Sequence, residues 1–419
     1  MTTSTDRKSG NRFWVWILVS FLAGMFSLVG AGALIYWGAN TFDEGNRFPE
    51  RPAVSVSELM AERRAMEKKA ILDKQKSTKA LVDRMYRRQL KDPDCTMDFL
   101  ILSGGGENGA FGAGVLVGWS GLTAADAALP EFDGVTGVSA GSFIAPFAYL
   151  GTPESLQEID HFFRNPSKDW LELRGPLYFL PENMSLGQVA GLKRDLKKVL
   201  SESFAKKIEE ATTPGRLLLI QASNLDEAFP RVFDFVEASR KALATGDFNE
   251  IVEILLASSA IPGMFPPREI DGALYVDGGV EGNFYAGGKP SKPEDTFGGV
   301  WKKEHPDRPI PKTRYWIILN GNLREAPVMS TPDWADIALR SLAVSVGSSE
   351  VVALRELYAL AELTRLRGDG EVEVRWIAIE ESVPTSVFPD IFEESQMRAL
   401  SDLGRRIGAD PNSWNTESP

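Results

Sequence analysis

The residues of this chain best suited to chemistry sit in three short glycine-rich motifs, each at the end of an apolar, strand-like run. The middle motif is Gly137-Val138-Ser139-Ala140-Gly141. It follows the strand-like run 133–138 and precedes a helix-like run from about 140 to 150. A serine on such a turn has its hydroxyl lifted clear of the backbone, and flanking glycines relieve the crowding. The chemistry is that of a serine nucleophile. The spacing alone is common; the strand–turn–helix setting is what makes it informative.

An activated serine needs a base. The chain has only two histidines, His161 and His305, and both follow Ser139. His161 lies in IDHFFRNP, read as a surface helix, and His305 in the charged, proline-broken run WKKEHPDRPIP. Neither is placed like a catalytic base. A carboxylate can take the part: in LYVDGG (274–279) a short apolar strand delivers Asp277 into a turn made by Gly278 and Gly279. Taken alone, that motif also reads as an aspartate fixing a turn.

The third motif, Ser103-Gly104-Gly105-Gly106-Glu107-Asn108-Gly109, follows the strand MDFLIL (97–102) and leads into a helix at 111–119. Glycines let the backbone approach a ligand, and N–H groups at a helix N-terminus favour negative charge. Such a loop suits a phosphate or an oxyanion. It also satisfies GxGxxG, and Asp126 and Asp133 lie near the region where a dinucleotide-binding unit carries its acid. From the loop alone both readings stand.

The elements that must position these motifs alternate. Strand-like runs at 97–102, 133–138, 216–223, 314–320 and 371–379 are separated by helical stretches, notably 186–209, 248–258 and 332–367. The pattern predicts an α/β sheet with helices on both faces.

Taken in order, the glycine loop, GxSxG about 30 residues later, the run LLASSAIPGMFPP (255–267) and DGG resemble the patatin-like phospholipase family over roughly 96–385. The resemblance implies an α/β, three-layer sandwich with a mostly parallel central sheet. It implies a Ser–Asp dyad, with Ser139 as nucleophile and Asp277 as base. The backbone of Gly104, Gly105 and Gly106 would form the oxyanion hole, with Gly109, Gly137, Gly141, Gly278 and Gly279 as supporting glycines. No metal and no organic cofactor are implied. One departure is Asn108, where the family often has Arg or Lys. The expected activity is hydrolysis of fatty-acyl esters of phospholipids, lysophospholipids or related lipids. An acyltransferase would use the same residues. A non-catalytic lipid- or nucleotide-binding membrane protein leaves the coexistence of GxSxG and DGG unexplained.

Ahead of this body, residues 13–37 form an uncharged run of 25. As a helix it would be about 37 Å long, enough to cross a hydrocarbon core of about 30 Å. Trp14, Trp16, Tyr36 and Trp37 near its ends suit the membrane interface. The run is much longer than the apolar region of a signal peptide. It is expected to be one transmembrane helix. Arg7, Lys8 and Arg12 before it favour a cytoplasmic N-terminus, with the catalytic domain on the far side.

The net charge of −12 conceals an asymmetry: residues 62–91 carry eleven Lys/Arg against four Asp/Glu. Residues 1–61 are neutral, with five of each sign, so 92–419 carry −19. An acidic body argues against a nucleic-acid partner, because phosphate binding needs a basic face. Membrane lipids are the expected partners, as substrate and as anchor. The basic stretch reads as a helical segment lying on anionic headgroups, as a solvated stalk, or as a flank packed on the acidic body. The single cysteine, Cys95, excludes an intramolecular disulfide, a four-cysteine zinc site and a CxxC pair. The expected organisation is a basic tail (1–12), the transmembrane helix (13–37), a charged stalk (38–92), the catalytic domain (93–388) and a C-terminal amphipathic helix and tail (389–419).

Overall fold

Strand β1 (Met97–Leu102) carries an almost uninterrupted apolar run and lies in the middle of a sheet, where both faces are covered. In this computed structural model the chain continues through α2 (Gly109–Ser120), β2 (Gly134–Val138), α3 (Ala140–Leu150) and α4 (Pro153–Arg164). A small hairpin of β3 (Glu172–Leu173) and β4 (Gly187–Gln188) precedes α5 (Ala190–Val199) and α6 (Glu202–Glu210). Then come β5 (Leu217–Asn224), β6 (Phe229–Asp234), α7 (Phe235–Thr245), α8 (Asn249–Ser258), β7 (Arg268–Ile270) and β8 (Ala273–Asp277). The remaining elements are α9 (Phe297–Glu304), β9 (Thr313–Ile318), α10 (Trp334–Leu366), β10 (Val372–Ile377) and α11 (Glu394–Gly408), and a long helix α1 (Val56–Gln89) precedes them all. The structure describes residues 25, 27, 29–32, 51, 53–124, 127–175, 184–287, 292–324, 327, 329–380 and 392–419. The chain divides into two compact units, 54–173 with 187–419, and 1–53 with 174–186; all that follows concerns the first unless stated.

The sheet runs β10-β9-β1-β2-β5-β8-β7, with β6 paired to β5. β10, β9, β1, β2 and β5 are parallel, while β6, β7 and β8 pair antiparallel. This matches the mostly parallel sheet expected. Strand alternation then builds three layers. Ile317 and Leu319 of the β9 segment, with Val374 and Trp376 of β10, pack against Leu354 and Leu357 of α10. Trp316, pointing the opposite way from β9, packs on Trp119 of α2 at 4.7 Å between ring centroids. α11 crosses α2 almost backbone to backbone. A methyl group on Gly114 or Gly118 would strike the main chain of α11, and one on Gly404 or Gly408 the main chain of α2.

β6 is absent from the strands the sequence suggests. It carries Pro230, which breaks the apolar pattern and is tolerated because β6 pairs only with β5. The helical stretch expected at 186–209 divides into α5 and α6, separated by Leu200 and Ser201.

α1 opens with a capping box, in which Ser55 Oγ accepts the Glu58 N–H and Glu58 accepts the Ser55 N–H at 2.9 Å. Its last turns pack on the body: Leu81, Val82 and Met85 are buried with Cys95, Met97 and Trp301. Arg84 and Arg88 meet the fully buried Asp133 at 2.7 and 2.8 Å. Of the readings offered for 62–91, its C-terminal part therefore takes the packed flank.

Most of the N-terminal apolar run lies outside the described residues; of it, residues 25, 27 and 29–32 are helical and exposed. Among the described residues, α10 contains the one stretch, Asp336–Leu366, that is long and apolar enough to cross a membrane. Leu354, Leu357 and the buried Glu350 commit one face of α10 to the body.

Candidate active site

The register of β5 places the chemistry. β2 pairs with β5 up to Val138↔Gln221 and there leaves the sheet. β8 takes up the vacated edge at the next residue, Ala222↔Asp277. The end of β8 is thus brought against the end of β2. Ser139 Oγ donates to Asp277 Oδ2 at 2.6 Å, and both residues are buried.

Ser139 itself has φ 51° and ψ −123°, a conformation a side-chain-bearing residue rarely adopts. The turn is held from several sides. The Ser139 N–H donates to Ser258 Oγ at 2.9 Å, and Ser258 donates to the Gln221 carbonyl at 2.6 Å. Gly137 and Gly141 permit the approach: a Cβ on Gly137 would collide with the main chain at Gly141, and one on Gly141 with the Leu102 and Ser103 carbonyls. Immediately after Ser139, α3 begins, and its first N–H groups have no partner within the helix.

Asp277 is fixed as firmly. Its Oδ1 accepts the Gly279 N–H at 2.8 Å, its N–H donates to the Ala260 carbonyl at 2.9 Å, and its carbonyl accepts from Ser223 Oγ at 2.9 Å. Gln221 Nε2 holds the same turn through the Gly278 and Gly282 carbonyls. Burial pushes the Asp277 carboxyl up to about 6, against the opposing pull of the Ser139 hydroxyl and the Gly279 N–H. A Cβ at Gly278 would strike the Gln221 carbonyl, which is why the turn is glycine.

The glycine loop lies alongside. A Cβ on Gly104 would meet Ser139 Cβ at 3.0 Å, so the loop passes directly over Ser139. The Gly104 N–H, however, donates to the Asn283 carbonyl at 3.0 Å. This corrects one part of the expected oxyanion hole: Gly104 has no N–H to offer, whereas those of Gly105 and Gly106 meet no acceptor among the described residues. Asn320 holds the loop from behind through Ser103, donating from Nδ2 to its carbonyl at 2.6 Å. Asn283 Nδ2 in turn donates to the buried Glu350 of α10 at 2.5 Å. Gly109, at the start of α2, lies against Phe163 and Ala140 with no room for a side chain. Asn108 puts no cation here; its Oδ1 is buried without a hydrogen-bond partner among the described residues.

Glu107 carries the one carboxylate of the loop. It accepts the Phe392 N–H at 2.9 Å and Gln396 Nε2 at 3.2 Å, and burial raises its pKa. Beside Ser139 opens an apolar pocket walled by Phe143, Phe163, Trp170, Leu192, Phe265 and Phe392.

The histidines stand apart from this pocket. His161 Nδ1 hydrogen-bonds Asn165 at 3.1 Å, and His305 stacks on Tyr86 at 4.0 Å. Of the two acids considered for the nucleotide reading of the glycine loop, Asp133 is buried under Arg84 and Arg88, and Asp126 lies outside the described residues. Sequence reasoning did not single out Ser258, Gln221, Asn283, Asn320 or Phe392. Only Ser258, inside the LLASSAIPG run, carried a local signal.

Fold and site together define a class: a mostly parallel α/β sheet presenting a buried serine–aspartate pair beneath a glycine loop. Residues 100–288 match the model described as patatin-like phospholipase. Among solved structures the chain is similar to that of VipD from Legionella pneumophila, with 12% sequence identity over 77% of this chain and 68% of that one, and a TM-score of 0.31. No curated protein matches it.

Proposed function

We propose that the protein is a serine acyl-hydrolase that cleaves fatty-acyl esters of phospholipids, lysophospholipids or related lipids through the dyad of Ser139 and Asp277. The observation that carries this reading is the 2.6 Å hydrogen bond from Ser139 Oγ to a buried Asp277 carboxylate at a strained strand-to-helix turn. Asp277 takes the proton as Ser139 Oγ attacks the ester carbonyl. The N–H groups of Gly105 and Gly106 stabilise the tetrahedral oxyanion, a contribution of about 100- to 1,000-fold per donor. Asp277 passes that proton to the leaving alcohol; the regenerated carboxylate then takes a proton from the water that attacks the acyl-serine, and returns it to Ser139 Oγ as the fatty acid departs. The apolar lining beside Ser139 supports an apolar group on the acyl side of the ester.

The apolar run at 13–37 would anchor the enzyme in the membrane that supplies its substrate, with the N-terminus cytoplasmic and the catalytic domain on the opposite side. The same dyad would transfer the acyl group to another alcohol wherever that alcohol outcompetes water. The test is turnover of acyl-ester lipids by the full chain, compared with Ser139→Ala and Asp277→Asn. Release of fatty acid that survives both substitutions would refute the proposal.

A further inference from the structure

Phe392 is the member of the pocket wall that the matched family segment does not supply, since that segment ends at residue 288. Its backbone has φ +67°, a conformation that for a bulky residue persists only when its surroundings impose it. Its N–H is held by Glu107 of the glycine loop, whose carboxylate accepts it at 2.9 Å and accepts Gln396 Nε2 of α11 at 3.2 Å. So strapped, the ring stands 5.5 Å from Trp170, near perpendicular, and 6.2 Å from Phe265. The three rings wall a pocket that reaches Ser139 and Gly106 and whose lining is apolar. Its volume is only about 20 Å³, little more than one water requires.

From this geometry we propose that Phe392 sets the length limit of the acyl group accepted at Ser139. The inference rests on the hydrolase reading and adds its selectivity. A pocket of this volume holds little more than a first carbon, so a longer acyl chain meets the rings. Phe143, Phe163 and Phe265 belong to the domain core, whereas Phe392 enters from the C-terminal segment, with its N–H on the Glu107 carboxylate and its ring against Trp170 and Phe265. Acyl selectivity can therefore vary through Phe392 without disturbing the dyad.

The test uses the full chain in maltoside detergent and compares wild type with Phe392→Ala and Phe392→Leu, each checked for folding by its melting temperature. Inactivation rates are measured with butyl and dodecyl fluorophosphonates. The dodecyl-to-butyl ratio is expected to rise at least tenfold in Phe392→Ala and by less in Phe392→Leu; an unchanged ratio overturns the proposal. A second measurement needs no turnover: octanoate binding by calorimetry to Ser139→Ala and to the Ser139→Ala, Phe392→Ala double variant. At least tenfold tighter binding in the double variant supports the wall, and equal binding overturns it. A wild type that reacts with neither phosphonate would refute the hydrolase reading, and octanoate binding would still decide the role of Phe392.

Discussion

At Asp277 two opposing influences set the working range of the site. Burial holds its carboxyl at about 6, above the ordinary aspartate value of 3.8. As the proposed base it must be ionised, so activity is expected to be lost as pH falls through about 6 and to plateau above it. A pH profile of kcat/KM checks this; a profile flat down to pH 4.5 would contradict the assignment. Ser258 acts one step removed, by holding the Ser139 N–H. Ser258→Ala leaves that buried N–H without its acceptor, which costs about 1–3 kcal/mol. Both a lower denaturation midpoint and slower labelling of Ser139 are expected. Ser139 and Asp277 were legible in the sequence because each sits in a short motif whose glycines announce a tight turn. The fate of each loop N–H was not. Gly104 and Gly105 look alike in sequence, and only the Asn283 carbonyl, supplied from beyond β8, separates a spent donor from a free one.

The elements carry two further expectations. α1 reaches the body through the buried Leu81, Val82 and Met85 and through Arg84 and Arg88, which neutralise a fully buried Asp133. Removing both arginines strands that charge, and breaking a buried pair costs about 3–5 kcal/mol. The variant Arg84→Ala, Arg88→Ala is expected to unfold at markedly lower urea concentration, and a chain cut at residue 92 to fold poorly. The crossing of α2 and α11 gives the second: Gly404→Ala forces a methyl group onto the Phe111 carbonyl. Overpacking of this kind costs about 1–3 kcal/mol, to be read from the same unfolding curves. The parallel strands and α8, α10 and α11 were visible as apolar runs and helical spacing. β6 was not, because Pro230 interrupts its pattern and the strand exists only by pairing with β5. Nor could the basic composition of α1 show that its last turns face the acidic body, since the charges that decide it lie in Asp133 and its surroundings.

For the whole molecule, the sheet brings together residues that the chain keeps far apart. β8 continues on β5 where β2 leaves off, and this single exchange of partners joins Ser139 to Asp277. Motif order suggested that the two meet; register explains how. Membrane placement is argued from 13–37, and deletion of residues 1–53 is expected to move the protein from the membrane fraction to the soluble one. Retention of the shortened chain in the membrane would assign that role elsewhere, with the exposed apolar face of α10, which includes Val344 and Val352, the next to examine. The central claim is that Ser139 is an activated nucleophile paired with Asp277. It is tested most directly by treating the full chain with a fluorophosphonate and mapping the adduct by mass spectrometry. Labelling at Ser139 that disappears in Ser139→Ala and falls at least 1,000-fold in rate in Asp277→Asn, roughly the loss seen when a catalytic partner is removed, is the expected result. A folded protein that stays unlabelled, or that reacts as fast without the Asp277 carboxylate, would contradict it.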